Sequence, residues 1–155
     1  MRIVKNKMNP EIREAIKERQ KLVWDSLFYS NQRMDLLIIT ISGAGLYTVS
    51  EVCKYLLEQK LPISCFIKVA AILFVTSIIT NFLSQYYSAK THYKDYCSVL
   101  LQLEEERTEK QDADLLQFHN ESEAHNKTTQ QFNSLSMVFM FAGLIAITLT
   151  LFFIF

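Results

Sequence analysis

The sequence predicts an all-α membrane protein of three long helices, about 10–57, 62–110 and 114–155. Each would be half transmembrane and half cytoplasmic, in an elongated helical bundle that oligomerises. Three observations predict this. Half of the 155 residues are hydrophobic, and they concentrate in 34–57, 61–84 and 135–155. Each run supplies the ~20 residues that cross a hydrocarbon core of ~30 Å, and residues 135–155 carry no charge. Residues 62–110 hold no glycine and no proline after Pro62, so nothing breaks a helix between a span and the polar segment that follows it. Burying three such helices in a soluble core would need a much larger protein.

In chain order, residues 1–8 read as a loose basic lead-in and Asn9-Pro10-Glu11 as a helix start. Asparagine caps, proline suits the first helical position and an acid in the first turn favours the dipole. Ile12, Ile16, Val23 and Leu27 form one apolar stripe, and Trp24, Phe28 and Tyr29 fall where the inner aromatic belt of a membrane belongs. Gly43 and Gly45 lie inside the first span and allow close packing. The chain breaks at Glu58-Gln-Lys-Leu-Pro62 and again near 109–114.

In the second helix Tyr86, Ala89, Tyr93, Tyr96, Leu100 and Leu103 alternate by three and four, a heptad seam. The third places Leu115, Phe118 and Phe132 on its inward seam with Ser122, His125 and Thr129 between them, and Arg19 and Ser26 of the first helix are candidates to lie opposite. That polar interval reads either as a solvated, bent segment or as a polar cavity or joint. At 1.5 Å per residue the three cytoplasmic segments measure about 36, 39 and 33 Å, matched lengths for one bundle. The chain is therefore one domain, with 10–33 and 85–134 as cytoplasmic bundle and 34–57, 62–84 and 135–155 as transmembrane segments. No strand pattern or repeat competes.

The net charge is zero, so no nucleic-acid partner follows from the total. Its distribution says more. Residues 1–33 carry eight Lys/Arg, and the link between the second and third spans adds Lys90, Lys94, Arg107, Lys110 and Lys127. The link between the first two spans has only Lys54 and Lys60. Positive-inside bias puts the N-terminus and the long link in the cytoplasm, and the turn at Pro62 and the C-terminus outside. The polar start does not read as a cleavable signal. Cys53, Cys65 and Cys97 show no metal spacing; Cys53 and Cys65 flank the outer turn, where a disulfide and two unpaired thiols are both open readings.

No enzyme motif appears, so catalytic residues and cofactors are expected to be none. His92, His119 and His125 lack metal-ligand spacing, and no metal is expected. In the first span Thr40, Ala44, Tyr47, Glu51, Lys54 and Glu58 share a stripe, with Ile38, Val49, Val52 and Leu56 opposite. Ionisable groups in a span face protein or water. Three helices cannot enclose a water path, so Thr40, Tyr47, Glu51 and Lys54 become candidate pore-lining residues in an assembly of copies. The alternative is that Glu51, Lys54 and Glu58 mark the outer end of the helix and snorkel to water. In the second span Lys68 either snorkels or pairs with Glu51 or Glu58, and Thr76, Ser77, Thr80, Asn81 and Ser84 form a polar surface suited to interhelical hydrogen bonds or a hydrated vestibule. At the inner interface Arg33, Lys90, His92 and Lys94 collect beside Tyr86, Tyr87 and Tyr93. Arg33, Tyr87, Lys90 and Lys94 are candidates to bind either nucleotide phosphates and bases or anionic lipid headgroups.

The N-terminal helix ending in Trp24, Phe28-Tyr29 and Arg33, the two spans with a tight turn, and the run Tyr86-Tyr87…His92-Tyr93-Lys94-Asp95-Tyr96 resemble the SLATT-type membrane effectors of bacterial nucleotide-signalling defence. The likeness covers about 10–110. The added span at 135–155 makes the layout similar to the channel effector of Hailong-type defence, which is paired with a nucleotidyltransferase. The resemblance implies a bacterial inner-membrane pore of several copies, a tetramer by expectation. It would be gated by a nucleotide or oligodeoxyadenylate and would collapse the membrane potential during phage infection. A holin-like lysis protein fits three spans but not the long cytoplasmic bundle, nor the lack of a charged tail after Phe155. A non-conducting scaffold would instead show a dry oligomer axis.

Overall fold

The computed structural model describes residues 3–5, 10–103 and 106–154, and side chains for most of 10–153. The side chains of Asn9, Ile12, Ile16, Arg19, Val23, Trp24, Ser26, Leu27, Phe28 and Leu103 lie outside the described residues, as do those of Arg107 and Phe155. The element order is β1 (Ile3–Lys5), α1 (Pro10–Glu58), α2 (Cys65–Leu103), β2 (Glu106–Thr108) and α3 (Glu109–Ile154). Three helices are long and apolar enough to cross a membrane, as the hydropathy predicts.

The helix ends are set by local chemistry. α1 opens on Pro10 with Glu11 in its first turn. It closes in a Schellman motif: Lys60 takes a left-handed backbone at φ 58°. The Leu61 N–H donates to the Leu56 carbonyl at 2.8 Å and the Lys60 N–H to the Leu57 carbonyl at 3.1 Å. Ser64 caps α2, its Oγ accepting the Phe66 N–H at 3.3 Å, so this helix starts after Pro62 rather than on it.

The expected run of α2 to Lys110 is corrected. The helix ends at Leu103, and β2 pairs antiparallel with β1 in the register Ile3↔Thr108, Val4↔Arg107, Lys5↔Glu106. Residues 3–5 are therefore a paired strand, not a loose lead-in. Two physical reasons apply. Three consecutive glutamates, 104–106, oppose the negative end of a helix dipole, and Ile3-Val4 is β-branched. α3 also starts earlier than expected, because Thr108 and Gln111 form a capping box. The Thr108 N–H donates to Gln111 Oε1 at 2.8 Å, and the Gln111 N–H to Thr108 Oγ1 at 3.3 Å.

The chain divides into two compact units, one of Met1–Gln32 with Tyr86–Thr129, the other of Arg33–Gln85 with Gln130–Phe155. In the second unit each helix buries one heptad face. α1 contributes Ile38, Ser42, Gly45, Val49 and Leu56; α2 Ile67, Ala70, Phe74, Ser77, Asn81 and Ser84; α3 Ser136, Met140, Gly143, Ile147 and Thr150. The Phe74 ring is fully buried and sits on two glycines. A Cβ at Gly45 would lie 2.4 Å from its Cζ, and one at Gly143 2.9 Å from its Cε1. Some polar members of the core bond between helices, while Thr80 and Thr150 turn their hydroxyls back to carbonyls of their own helix. Ser42 Oγ donates to Ser77 Oγ at 3.3 Å, Ser77 Oγ to the Ser136 carbonyl at 2.8 Å and Asn81 Nδ2 to Asp35 Oδ1 at 2.8 Å. Of the polar surface on the second span, Ser77 and Asn81 make interhelical hydrogen bonds, whereas Thr76 and Thr80 bond to carbonyls of α2 itself. Apart from one polar stripe on α1 the outward faces are largely apolar, with Leu36, Ile72, Phe82, Phe141 and Phe153 exposed.

In the first unit the buried side chains among the described residues are small and polar. Thr91, Ser98 and Ser122 are buried, and Ser122 Oγ donates to Asp95 Oδ1, joining α3 to α2. Leu115, Phe118, His125 and Thr129 are half-buried, as the inward seam of the third helix predicts.

Candidate functional site

Two surfaces bear on function, one in each unit. In the Arg33–Gln85 unit, Thr40, Ala44, Tyr47, Glu51, Lys54 and Glu58 are all exposed, while Ile38, Val49 and Leu56 on the opposite side are buried. The helical period separates the two sets cleanly. Lys54 Nζ donates to Glu51 Oε1 at 2.7 Å, so two of the three charges of the stripe are paired one turn apart. Thr48 turns its hydroxyl back to the Ala44 carbonyl at 2.9 Å. Lys68 is exposed. Cys53 and Cys65 are both free thiols, the first half-buried and the second exposed.

In the Tyr86–Thr129 unit, α2 and α3 run antiparallel and leave an open groove of about 470 Å³ lined by Tyr86, Ala89, Lys90, Tyr93, Lys94, Glu121 and His125. Successive turns of α2 supply the rings and the cations. Lys90 Nζ stands 4.6 Å from the centre of the Tyr86 ring, a cation–π distance. Tyr86 holds the Lys90 ammonium above its ordinary 10.5, so it stays charged across the physiological range. Lys94 Nζ meets Glu121 Oε2 at 2.6 Å and lies 5.0 Å over the Phe118 ring. The Glu121 carboxyl is held below 4.5, first by Lys94 and then by Gln117, whose Nε2 donates to its Oε1 at 2.7 Å. An anion entering the groove thus meets one cation backed by tyrosine and a second already shared with a carboxylate.

Of the residues singled out in the sequence for this site, Lys90 and Lys94 line the groove. Tyr87 is half-buried instead, its ring 5.9 Å from His125, and it does not line the groove. Arg33 is exposed and belongs to the other unit. Tyr86 and Tyr93 supply the open rings, and Glu121 and His125 come from α3. The α3 pair was readable only in part. The inward seam through Ser122 and His125 puts Glu121 at its edge, but its pairing with Lys94 needs the register of two antiparallel helices. Among the described residues no group of three or more His, Cys, Asp or Glu is placed to hold a metal ion.

Fold and surfaces together define a class: a three-helix protein whose apolar helices can cross a membrane and which carries an outward polar stripe and an aromatic–cationic groove. No protein-family model, curated protein or solved structure matches the chain.

Proposed function

We propose that the chain is a multi-pass protein of the bacterial inner membrane whose copies form a ligand-gated channel, a toxic effector in anti-phage defence. Segments 34–57, 62–84 and 135–155 lie in the bilayer, and 10–33 and 85–134 stand in the cytoplasm. The N-terminus is cytoplasmic and the C-terminus is outside.

The observation that carries this reading is the outward stripe of Thr40, Tyr47, Glu51 and Lys54 on an otherwise apolar span. In a lone copy these groups face hydrocarbon, where a charge costs about 2.5–3.5 kcal/mol at the centre of a span, less near its ends. Copies gathered round an axis, a tetramer by expectation, turn the stripe toward water and line a path with it.

The groove supplies the regulation. Phosphates meet Lys90 and Lys94, and bases stack on the Tyr86 and Tyr93 rings, which suits a nucleotide or oligodeoxyadenylate made by a nucleotidyltransferase. Lys94 exchanges Glu121 for phosphate as the ligand enters.

Purified protein in liposomes tests the proposal. Ion flux that oligodeoxyadenylate raises or lowers is the expected result. Lys90→Ala with Lys94→Ala should remove the response to ligand while leaving flux, and Glu51→Gln or Lys54→Met should change conductance without preventing assembly. Liposomes that stay tight with and without the ligand sink the proposal.

A further inference from the structure

α2 carries two heptad faces in the Tyr86–Thr129 unit, and they are inverted relative to a soluble bundle. The inward face is polar: Thr91 and Ser98 are buried and Asp95 accepts from Ser122. The apolar face looks outward, with Tyr86 56 % exposed, Tyr93 65 %, Tyr96 61 % and Leu100 49 %, and Ala89 exposed between them. An exposed, contiguous apolar row on a water-facing segment marks an interaction surface. We infer that this row, Tyr86-Ala89-Tyr93-Tyr96-Leu100, pairs in parallel with the same row of a second copy of the chain, an α2–α2 coiled coil. The inference rests on the membrane reading above.

Spacing, area, register and charge all favour a second copy. The row alternates by three and four, so it stays on one side only of a helix supercoiled at 3.5 residues per turn. A sister α2 has the same winding. Fully buried tyrosines remove about 150–250 Å² each, so the exposed fractions leave on the order of 400 Å² per copy. With the flanking side chains, two copies reach about 1,000 Å², the threshold of a specific interface. Insertion in one bilayer holds every copy's α2 parallel and at one depth, so Tyr93 meets Tyr93 with no search for register, and confinement raises the effective concentration. In a parallel pair the residues beside the seam meet as Lys90 with Gln85 and His92 with Cys97, so no charge faces its like. Tyr86, Ala89 and Tyr93 also line the groove, so a paired seam and a base stacked on these rings exclude each other.

Cysteine cross-linking of the full chain in membranes tests the inference, on a background with Cys53→Ser, Cys65→Ser and Cys97→Ser. Tyr93→Cys and Tyr96→Cys should oxidise to covalent dimers about tenfold faster than Thr91→Cys on the inner face or Ala124→Cys on the exposed side of α3, because facing seam positions fall within disulfide reach. Equal rates at all four positions, or no dimer at the seam while the protein still purifies as an oligomer, overturn the pairing and leave the membrane reading standing. Protein that carbonate strips from the membrane overturns both. A Tyr93→Glu, Tyr96→Glu variant gives an independent readout. Its assembled mass should fall while it stays helical and inserted, and an unchanged mass counts against the seam.

Discussion

Phe74 shows most directly how single residues hold this protein together. Its ring fills the space left by Gly45 on α1 and Gly143 on α3, so three helices close around one side chain. Because the ring is enclosed on both sides, Gly45→Ala should destabilise by roughly 1–3 kcal/mol through overpacking. Gly43, two residues earlier, has open space where its Cβ would be, so Gly43→Ala should stay within about 1 kcal/mol of the parent. Thermal unfolding in detergent micelles compares the two, and equal losses would refute the packing argument.

Glu121 offers a second test at this scale. Its carboxyl titrates below 4.5 because Lys94 and Gln117 stabilise the charged form. A depressed acid contributes stability above its unfolded value and loses it as pH falls through its lower folded value. The Glu121 side-chain carbon should therefore titrate below 4.5 by NMR, and Lys94→Met should bring the midpoint back up. A midpoint at or above 4.5 in the parent would show that the ion pair is absent in solution.

At the scale of elements, the informative places are the ends. Lys60 occupies the left-handed position of the α1 Schellman motif, which a residue with a Cβ adopts at a cost of roughly 1–2 kcal/mol and glycine adopts freely. Lys60→Gly should therefore raise stability by about 1 kcal/mol, offset in part by glycine's greater freedom in the unfolded chain. A lower melting temperature in micelles would refute this. Pro62 and the cluster before it made this break readable from the residues alone.

The other end was not read, although its signal was present. Thr108-Glu-Lys-Gln111 is a capping box, but it lies inside a stretch whose charge suggested only a turn. The β1–β2 pair was harder. Three residues of strand carry too little pattern to show, and their partner is a hundred positions away.

At the scale of the whole molecule, the three apolar helices and the separation of the α1 stripe from Ile38, Val49 and Leu56 follow from hydropathy and a 3.6-residue period. Both are local properties that each segment carries in its own composition. Tertiary structure decided which face of α2 is buried beyond Gln85. Apolarity alone favoured Tyr86, Tyr93 and Tyr96, yet Thr91 and Ser98 took the inside, with Asp95 bonded across to Ser122. Small side chains let two helices approach closely and a hydrogen bond between them satisfies their polar atoms. That choice depends on what the neighbouring helix presents at the same level, Glu121 to Lys94 and Ser122 to Asp95, which no single segment contains.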